Sequence, residues 1–276
     1  MNVTPDIKLR FDRICSEEIT ECKKSADSIG TYKEKRLHIA LKRFACDDRA
    51  CYEKRVYAKS AMQDSDALTS GRSQSYIADV LVGNNIYEIQ TGSLYPLKNK
   101  LEFYLSKTDY DITVIHPLAA VKWLSWIDTE SGDITKRRKS PVCEDVRSIA
   151  RDLYALSACI SNPRLSIVLP LIELEEFRNL NGWDSSKKRG STRYDRFPVK
   201  MIDCVTLNTP DDYRSYFLPS GLPDSFTAAQ YSKNSGIRGI AAYSALSALC
   251  TLGILEKGEK TGRSYLYKRL QNHVNH

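Results

Sequence analysis

The chain has 276 residues, 42% of them hydrophobic and 27% charged, and its 41 Lys and Arg against 34 Asp and Glu leave a net charge of +7. That length accommodates one domain of about 200 residues and a smaller one, each able to bury a core, and the composition is ordinary for a soluble globular protein. No run approaches the roughly 18 apolar residues of a membrane span, and the N-terminal MNVTPDIKLR lacks the apolar core of a signal peptide, so the expectation is a cytoplasmic protein with no membrane contact.

The eight cysteines are dispersed without a CxxC pair, as in a reducing compartment. Cys15, Cys22, Cys46 and Cys51 are the nearest approach to a metal grouping. Their spacings of seven and five exceed the usual zinc knuckle, which favours free thiols over zinc. Charge is unevenly placed. From Gly221 onward there are seven Lys and Arg against three Asp and Glu, a basic bias that suits a polyanion partner.

In chain order, residues 7–24 predict an outer helix with Ile7, Phe11, Ile14 and Ile19 on its apolar side. After the Ser28-Ile29-Gly30 break, residues 32–44 predict a helix whose Leu37, Ala40, Leu41 and Phe44 form one stripe. Glu34 and His38 are four apart and share a face. A His there positions a phosphate or donates a proton, or is satisfied by local hydrogen bonds. Lys42, one turn further, reads as a solvated or phosphate-facing lysine. Residues 53–58 predict a strand, and the polar run KSAMQDSDALTSGRSQ after it reads as a flexible loop.

The stretch IADVLVGNNIYEIQTG, residues 77–92, reads as two short apolar strands, 77–82 and 86–89, joined at Gly83-Asn84-Asn85. Asp79 lies on one arm, Glu88 and Gln90 on the other. Residues two apart on a strand face the same side, so Glu88 and Gln90 point together and Ile89 points into the core. Two acids and an amide at a strand pair suit a hard divalent cation, which takes oxygen ligands. Residues 95–105 then predict a helix, and DITVI, residues 111–115, a buried strand suited to parallel pairing.

Asp79, the hairpin and Glu88-Ile89-Gln90, in the order helix, three strands, helix, strand, resemble the active-site signature and core of the restriction-endonuclease-like nucleases, the PD-(D/E)xK superfamily. The resemblance implies an α/β fold with a mixed sheet, and a Mg²⁺ site, Mn²⁺ substituting, held by Asp79, Glu88 and the Ile89 carbonyl. It implies a further acid from the first helix, Glu34. Gln90 stands where the commonest pattern has Lys. A Gln orients a water by hydrogen bonds but brings no positive charge to a transition state. Lys98 or Lys100 on the next helix would replace that charge, the alternative for each being an exposed helical lysine.

Residues 121–128 and 133–138 predict a hairpin whose outgoing arm ends in Lys136, Arg137, Arg138 and Lys139. Such a run neutralises phosphates, or keeps an exposed edge soluble. A helix over 144–160 and an apolar strand over 165–172, interrupted by Pro170, follow. In GWDSSKKRGSTRYDR, residues 182–196, Lys187, Lys188, Arg189, Arg193 and Arg196 alternate with turn residues, which suits backbone contact with nucleic acid or a solvated hairpin.

The tail carries a second pattern. Thr227-Ala-Ala-Gln230 has the form of a capping box opening a short helix, Gly236 turns the chain, and residues 237–252 predict a longer helix. Residues 254–256 and 264–268 predict strands around the polar turn KGEKTG. Helix, turn, helix, strand, wing, strand resembles a winged helix. That resemblance implies DNA contact through Arg238 at the start of the second helix and Lys257, Lys260 and Arg263 on the wing, or else a module for dimerisation or protein contact. The Ala- and Ser-rich helix offers few long donors, which favours weak sequence preference.

The expected organisation is a helical extension over 1–30, a nuclease-like domain over 31–207, a linker over 208–220 and a winged helix over 221–276. Through EKRLHIALKR, ADVLVGNNIYEIQTG, WIDTESGDITKRRKSP, NLNGWDSSKKRGSTRYDR and LPSGLPDSFTAAQYS, the chain also resembles an uncharacterised bacterial family of this architecture, differing in a longer polar loop after Ala58. The expected function is a metal-dependent endodeoxyribonuclease with a role in defence or DNA processing. Double-strand cleavage with one site per chain favours a homodimer. The competing expectation is a non-catalytic DNA-binding regulator on a degenerate nuclease core, and RNA is a third substrate reading because the basic hairpins follow any phosphate backbone.

Overall fold

The structure, a computed structural model, describes residues 5–24, 35–59, 74–128, 130–131, 133–180, 192–262 and 264–270. Glu34, Lys187, Lys188, Arg189, Arg263 and most of the polar run after Ala58 lie outside the described residues. The fold is mixed α/β. Its elements are α1 (Pro5–Lys24), α2 (Arg36–Ala45), β1 (Tyr52–Tyr57), β2 (Ser75–Val82), β3 (Asn85–Ile89), α3 (Lys98–Lys107), β4 (Asp111–Ile115), β5 (Leu118–Ile127) and β6 (Arg138–Lys139). A 3₁₀ helix (Val146–Leu156), β7 (Leu165–Asn179), β8 (Thr192–Leu207), α4 (Pro210–Phe217), β9 (Ser225–Thr227), α5 (Ala228–Ser235), α6 (Ile240–Thr251), β10 (Leu255–Thr261) and β11 (Ser264–Arg269) follow. Among the described residues no helix is long and apolar enough to cross a membrane.

The larger sheet has the order β1-β2-β3-β4-β7-β5-β6, with β8 beside β7, and the smaller has the order β10-β11-β9. The larger is mixed: β2 pairs β3 antiparallel, while β5 runs parallel to β7 from Leu118 opposite Leu171 to Ile127 opposite Asn179. Contacts group the chain into two units. One comprises Met1–Tyr52, Ile115–Asp145 and Val168–Val205, the other Glu53–Val114, Val146–Ile167 and Thr206–His276.

In the first unit α1 packs its apolar stripe on α2, where the rings of Phe11 and Phe44 meet edge to face at 5.3 Å. The same seam buries a carboxylate. Glu18, 1% exposed, stands 3.3 Å from Arg36 and 3.0 Å from Arg43. Asp12 ties α1 to β8 by accepting a 2.8 Å hydrogen bond from the Met201 amide. Lys42, expected in solvent or against phosphate, is instead buried with its ammonium 5.7 Å from the centre of the Tyr52 ring.

Strand β7 runs seven residues past its expected end at Ile172. The acids that mask its continuation are all partnered. Glu173 accepts from Trp123 Nε1 at 2.8 Å, and the fully buried Glu176 lies 2.7 Å from Lys122 and 2.6 Å from Arg178.

In the second unit Arg164 closes the C-terminal end of α3: its guanidinium donates to the carbonyl of Leu105 in the last turn, which the helix itself leaves without a donor, and to those of Thr108 and Tyr110 at and beyond the cap. The segment expected as helix over 144–160 is the 3₁₀ helix, in which Val146, Ile149, Ala150, Leu153 and Leu156 are buried. A period of three lines up 150, 153 and 156 on one side. The expected linker contains α4, opened by Thr209 and Asp212 as a reciprocal capping box, and Thr227 with Gln230 forms the same device at α5. Tyr231, fully buried, donates its hydroxyl to the Phe217 carbonyl at 2.8 Å and stacks near Phe226, which in turn stacks near Tyr267. Thus α4, β9, α5 and β11 meet at one aromatic centre.

Replacing Glu18 removes the carboxylate facing two guanidinium groups, and Glu18→Ala is expected to cost about 3–5 kcal/mol in urea unfolding. Glu17→Ala, at the half-exposed neighbouring carboxylate, is expected to cost no more than about 1 kcal/mol; equal losses for both would remove the buried seam from the account.

Candidate functional site

The hairpin of β2 and β3 lies in the second unit. Its two-residue tip opens on Gly83 at φ +56°, a left-handed backbone that favours glycine. The tip is anchored to β4, since the Asp111 amide donates to the Asn84 carbonyl at 2.9 Å and Thr113 Oγ1 to Asn85 Oδ1 at 3.3 Å. Pairing of Val80 with Tyr87, Leu81 with Ile86 and Val82 with Asn85 sets the register. Continued by one residue, it sets Asp79 opposite Glu88, and opposed residues on antiparallel strands share a face.

Both carboxylates are held. Asp79 Oδ2 accepts from the Ile89 amide at 2.8 Å. Glu88 is 1% exposed, with Oε2 2.5 Å from Lys100 Nζ and Oε1 accepting from the Tyr104 hydroxyl at 3.2 Å. Lys100 and Tyr104 are four apart on α3 and so reach the same point. Ile89 is buried as expected, and Glu88 beside it is buried as well.

Gln90 lies just past β3. Its Nε2 donates to the Ser93 carbonyl at 2.5 Å. Ser93 Oγ and the Leu94 amide both donate to Asp152 Oδ1, at 2.6 and 2.8 Å, so the 3₁₀ helix pins the loop that follows the acidic strand. Lys98 is exposed, and two residues on an α-helix are about 200° apart, which separates it from Lys100. Tyr104 and Asp152 were not expected at this point. The signal for Tyr104 was its spacing of four from Lys100; Asp152 had none, because a contact 58 residues away leaves no local pattern.

The donor set suits a hard cation. Asp79, Glu88 and the Ile89 carbonyl are all oxygen, the set that Mg²⁺ or Mn²⁺ takes. Among the described residues no group of three or more His, Cys, Asp and Glu is placed to hold a metal, so Asp79 and Glu88 form a pair without a third such ligand. His38 sits half-buried on α2, in the first unit.

The expected nucleic-acid contacts that the structure describes differ in their surroundings. Arg137, 45% exposed, lies 4.1 Å from the centre of the Trp123 ring and within 3.8 Å of Glu173 and Glu175. Arg138 covers Trp126 at 4.7 Å, and Arg193 stands 3.5 Å from Glu176. Lys136 and Arg238 are exposed. Lys257 and Lys260 flank the Tyr265 ring at 3.9 and 5.2 Å on the two-stranded arm of β10 and β11.

Burial pushes the Glu88 carboxyl from 4.5 up to about 7; the Lys100 ammonium opposes this rise and the nearby Asp79 charge adds to it. Between these values the folded protein binds more protons than the unfolded chain, so stability falls as pH rises through that window. In chelated buffer, urea midpoints from about pH 4.5 to about pH 7 should decline, and Glu88→Gln should flatten the decline. A slope unchanged by Glu88→Gln would place the titrating group elsewhere.

Neither a curated protein nor a solved structure matches the chain. Residues 35–208, more than half of its length, match the family model of a domain of unknown function, and the chain therefore belongs to that family, DUF8091.

Proposed function

We propose that the protein is a metal-dependent endodeoxyribonuclease whose reacting centre is the β2–β3 hairpin. The observation that carries this reading is the pair of opposed carboxylates, Asp79 and Glu88, with the Lys100 ammonium 2.5 Å from Glu88 Oε2. Asp79, Glu88 and the Ile89 carbonyl would hold Mg²⁺. When bound, the metal lowers the pKa of a water and neutralises charge on the scissile phosphate.

The chain's own groups divide the remaining work. Lys100 supplies the positive charge that Gln90 lacks, at the place where charge builds on the phosphate oxygens. Gln90, held through Nε2 on Ser93, orients the attacking water through its amide oxygen. Tyr104 fixes Glu88 by its second oxygen and keeps the carboxylate aligned.

The C-terminal order of helix, strand, helix, helix, strand, turn and strand, with its three-stranded antiparallel sheet, supports a winged helix as a second DNA contact. Arg238, Lys257 and Lys260 supply its cations. The outer side of α6 carries Ile240 and Tyr243, 68% and 62% exposed, in place of amide or guanidinium donors. Such a face meets thymine methyls and sugar edges and reads sequence weakly.

One observation favours a second reading, a non-catalytic DNA-binding regulator: both oxygens of Glu88 already have partners in Lys100 and Tyr104. A plasmid-nicking assay in Mg²⁺ separates the two. The nuclease reading expects Asp79→Ala to abolish nicking and Lys100→Ala to slow it about 10²–10³-fold. Nicking that persists in Asp79→Ala contradicts the site. Metal-independent DNA binding without strand breaks in the unaltered protein supports the regulator instead.

A further inference from the structure

We propose that a groove lined by Arg147, Arg214 and Arg269 binds a phosphate-bearing small molecule. The groove encloses about 730 Å³, within the usual range for small-molecule sites. Its walls come from the start of the 3₁₀ helix, the end of α4, the 218–221 turn, the end of α5 and the end of β11. All of these lie in the second unit, on residues other than those of the carboxylate hairpin.

The charge of the lining is the first argument. Among the described residues that line the groove, three carry guanidinium groups and one a carboxylate, Asp211, which stands 3.5 Å from Arg214 Nε. The hydrogen bonding of Arg269 is the second. Its Nη2 is committed to the carbonyls of Pro219, Ser220 and Leu222, at 2.7, 3.4 and 3.1 Å, which holds the guanidinium rigidly at the groove. Its Nε is covered from solvent and has no hydrogen-bond acceptor among the described residues. Arg147 is likewise placed by backbone, through Nη1 on the Ser235 carbonyl at 3.3 Å.

Planar guanidinium groups fixed by carbonyls are suited to phosphate, which takes paired N–H donors. Tyr216, 40% exposed at the rim, adds a flat apolar face of the kind that a nucleobase stacks on. The concavity favours a small molecule over duplex DNA, whose phosphates lie on a convex rod and are met by protruding cations such as Lys257 and Lys260 on β10.

The ligand would brace the 218–222 turn between α4 and β9, and so the whole C-terminal module. Binding to the folded state alone raises stability in proportion to the logarithm of ligand concentration above Kd.

The test is calorimetric titration of sodium pyrophosphate and of adenosine triphosphate into the full chain in chelated buffer. One saturable site is expected. Arg214→Gln should weaken it at least about tenfold, the loss of one charge-assisted hydrogen bond. Asp211→Asn should tighten it. Both variants keep the Arg269 clamp, and urea unfolding checks that each is folded. Equal affinity for the two probes supports phosphate recognition alone, and tighter binding of the nucleotide supports base stacking as well. Absence of saturable binding, or binding unchanged by both variants, overturns the proposal. So does pyrophosphate binding that Asp79→Ala abolishes, which would move the anion to the carboxylate hairpin, and so does binding of duplex DNA alone, weakened by Arg214→Gln.

Discussion

A carboxylate with 1% exposure is expensive to keep charged, and Glu88 is in that position. Two groups one helical turn apart on α3, the Lys100 ammonium and the Tyr104 hydroxyl, offset the cost. Because the partners come from a helix and the acid from a strand, α3 must lie at a fixed height on the β2–β3 hairpin. The neighbouring contacts follow from that requirement. Arg164 closes the end of α3, and Asn84 and Asn85 anchor the hairpin tip to β4. Asp152 holds the loop between β3 and α3.

The result is a preorganised polar constellation: an acid whose proton affinity is raised by burial, a cation beside it and a second acid opposite, which on the proposed reading is the reacting centre. The same features also satisfy a structural role, since a buried ion pair with each oxygen partnered is stable without any ligand. What separates the two is Asp79. A scaffold needs no second carboxylate opposite the first, and its repulsion adds to the rise in the Glu88 pKa. The opposed pair is the ground on which the metal-dependent reading is proposed.

Local pattern carried much of this into the sequence. The alternation around Gly83 placed β2 and β3 to within two residues, and DITVI gave β4 with its bounds. Thr227 and Gln230 announced α5. Where pattern failed, the cause was a distant partner. Strand β7 was cut short because Glu173, Glu175 and Glu176 look like a solvated end until Trp123, Lys122 and Arg178 are known to face them. Helix α4 was hidden in a short polar stretch whose Tyr213 and Phe217 bury only against the rest of the module. Charge alone likewise did not reveal that Arg137 stacks on Trp123 and pairs with Glu173 and Glu175.

The most direct test of the opposed-carboxylate site is calorimetric titration of Mn²⁺ into the unaltered protein and into Glu88→Gln, with Lys100→Met alongside. If Asp79 and Glu88 form a cation site, the unaltered protein binds saturably, Glu88→Gln does not, and Lys100→Met, relieved of the competing ammonium, binds at least as tightly. Saturable binding of equal strength in the unaltered protein and Glu88→Gln, or none in the unaltered protein and Lys100→Met alike, would contradict the account and leave Glu88 as one half of a buried ion pair.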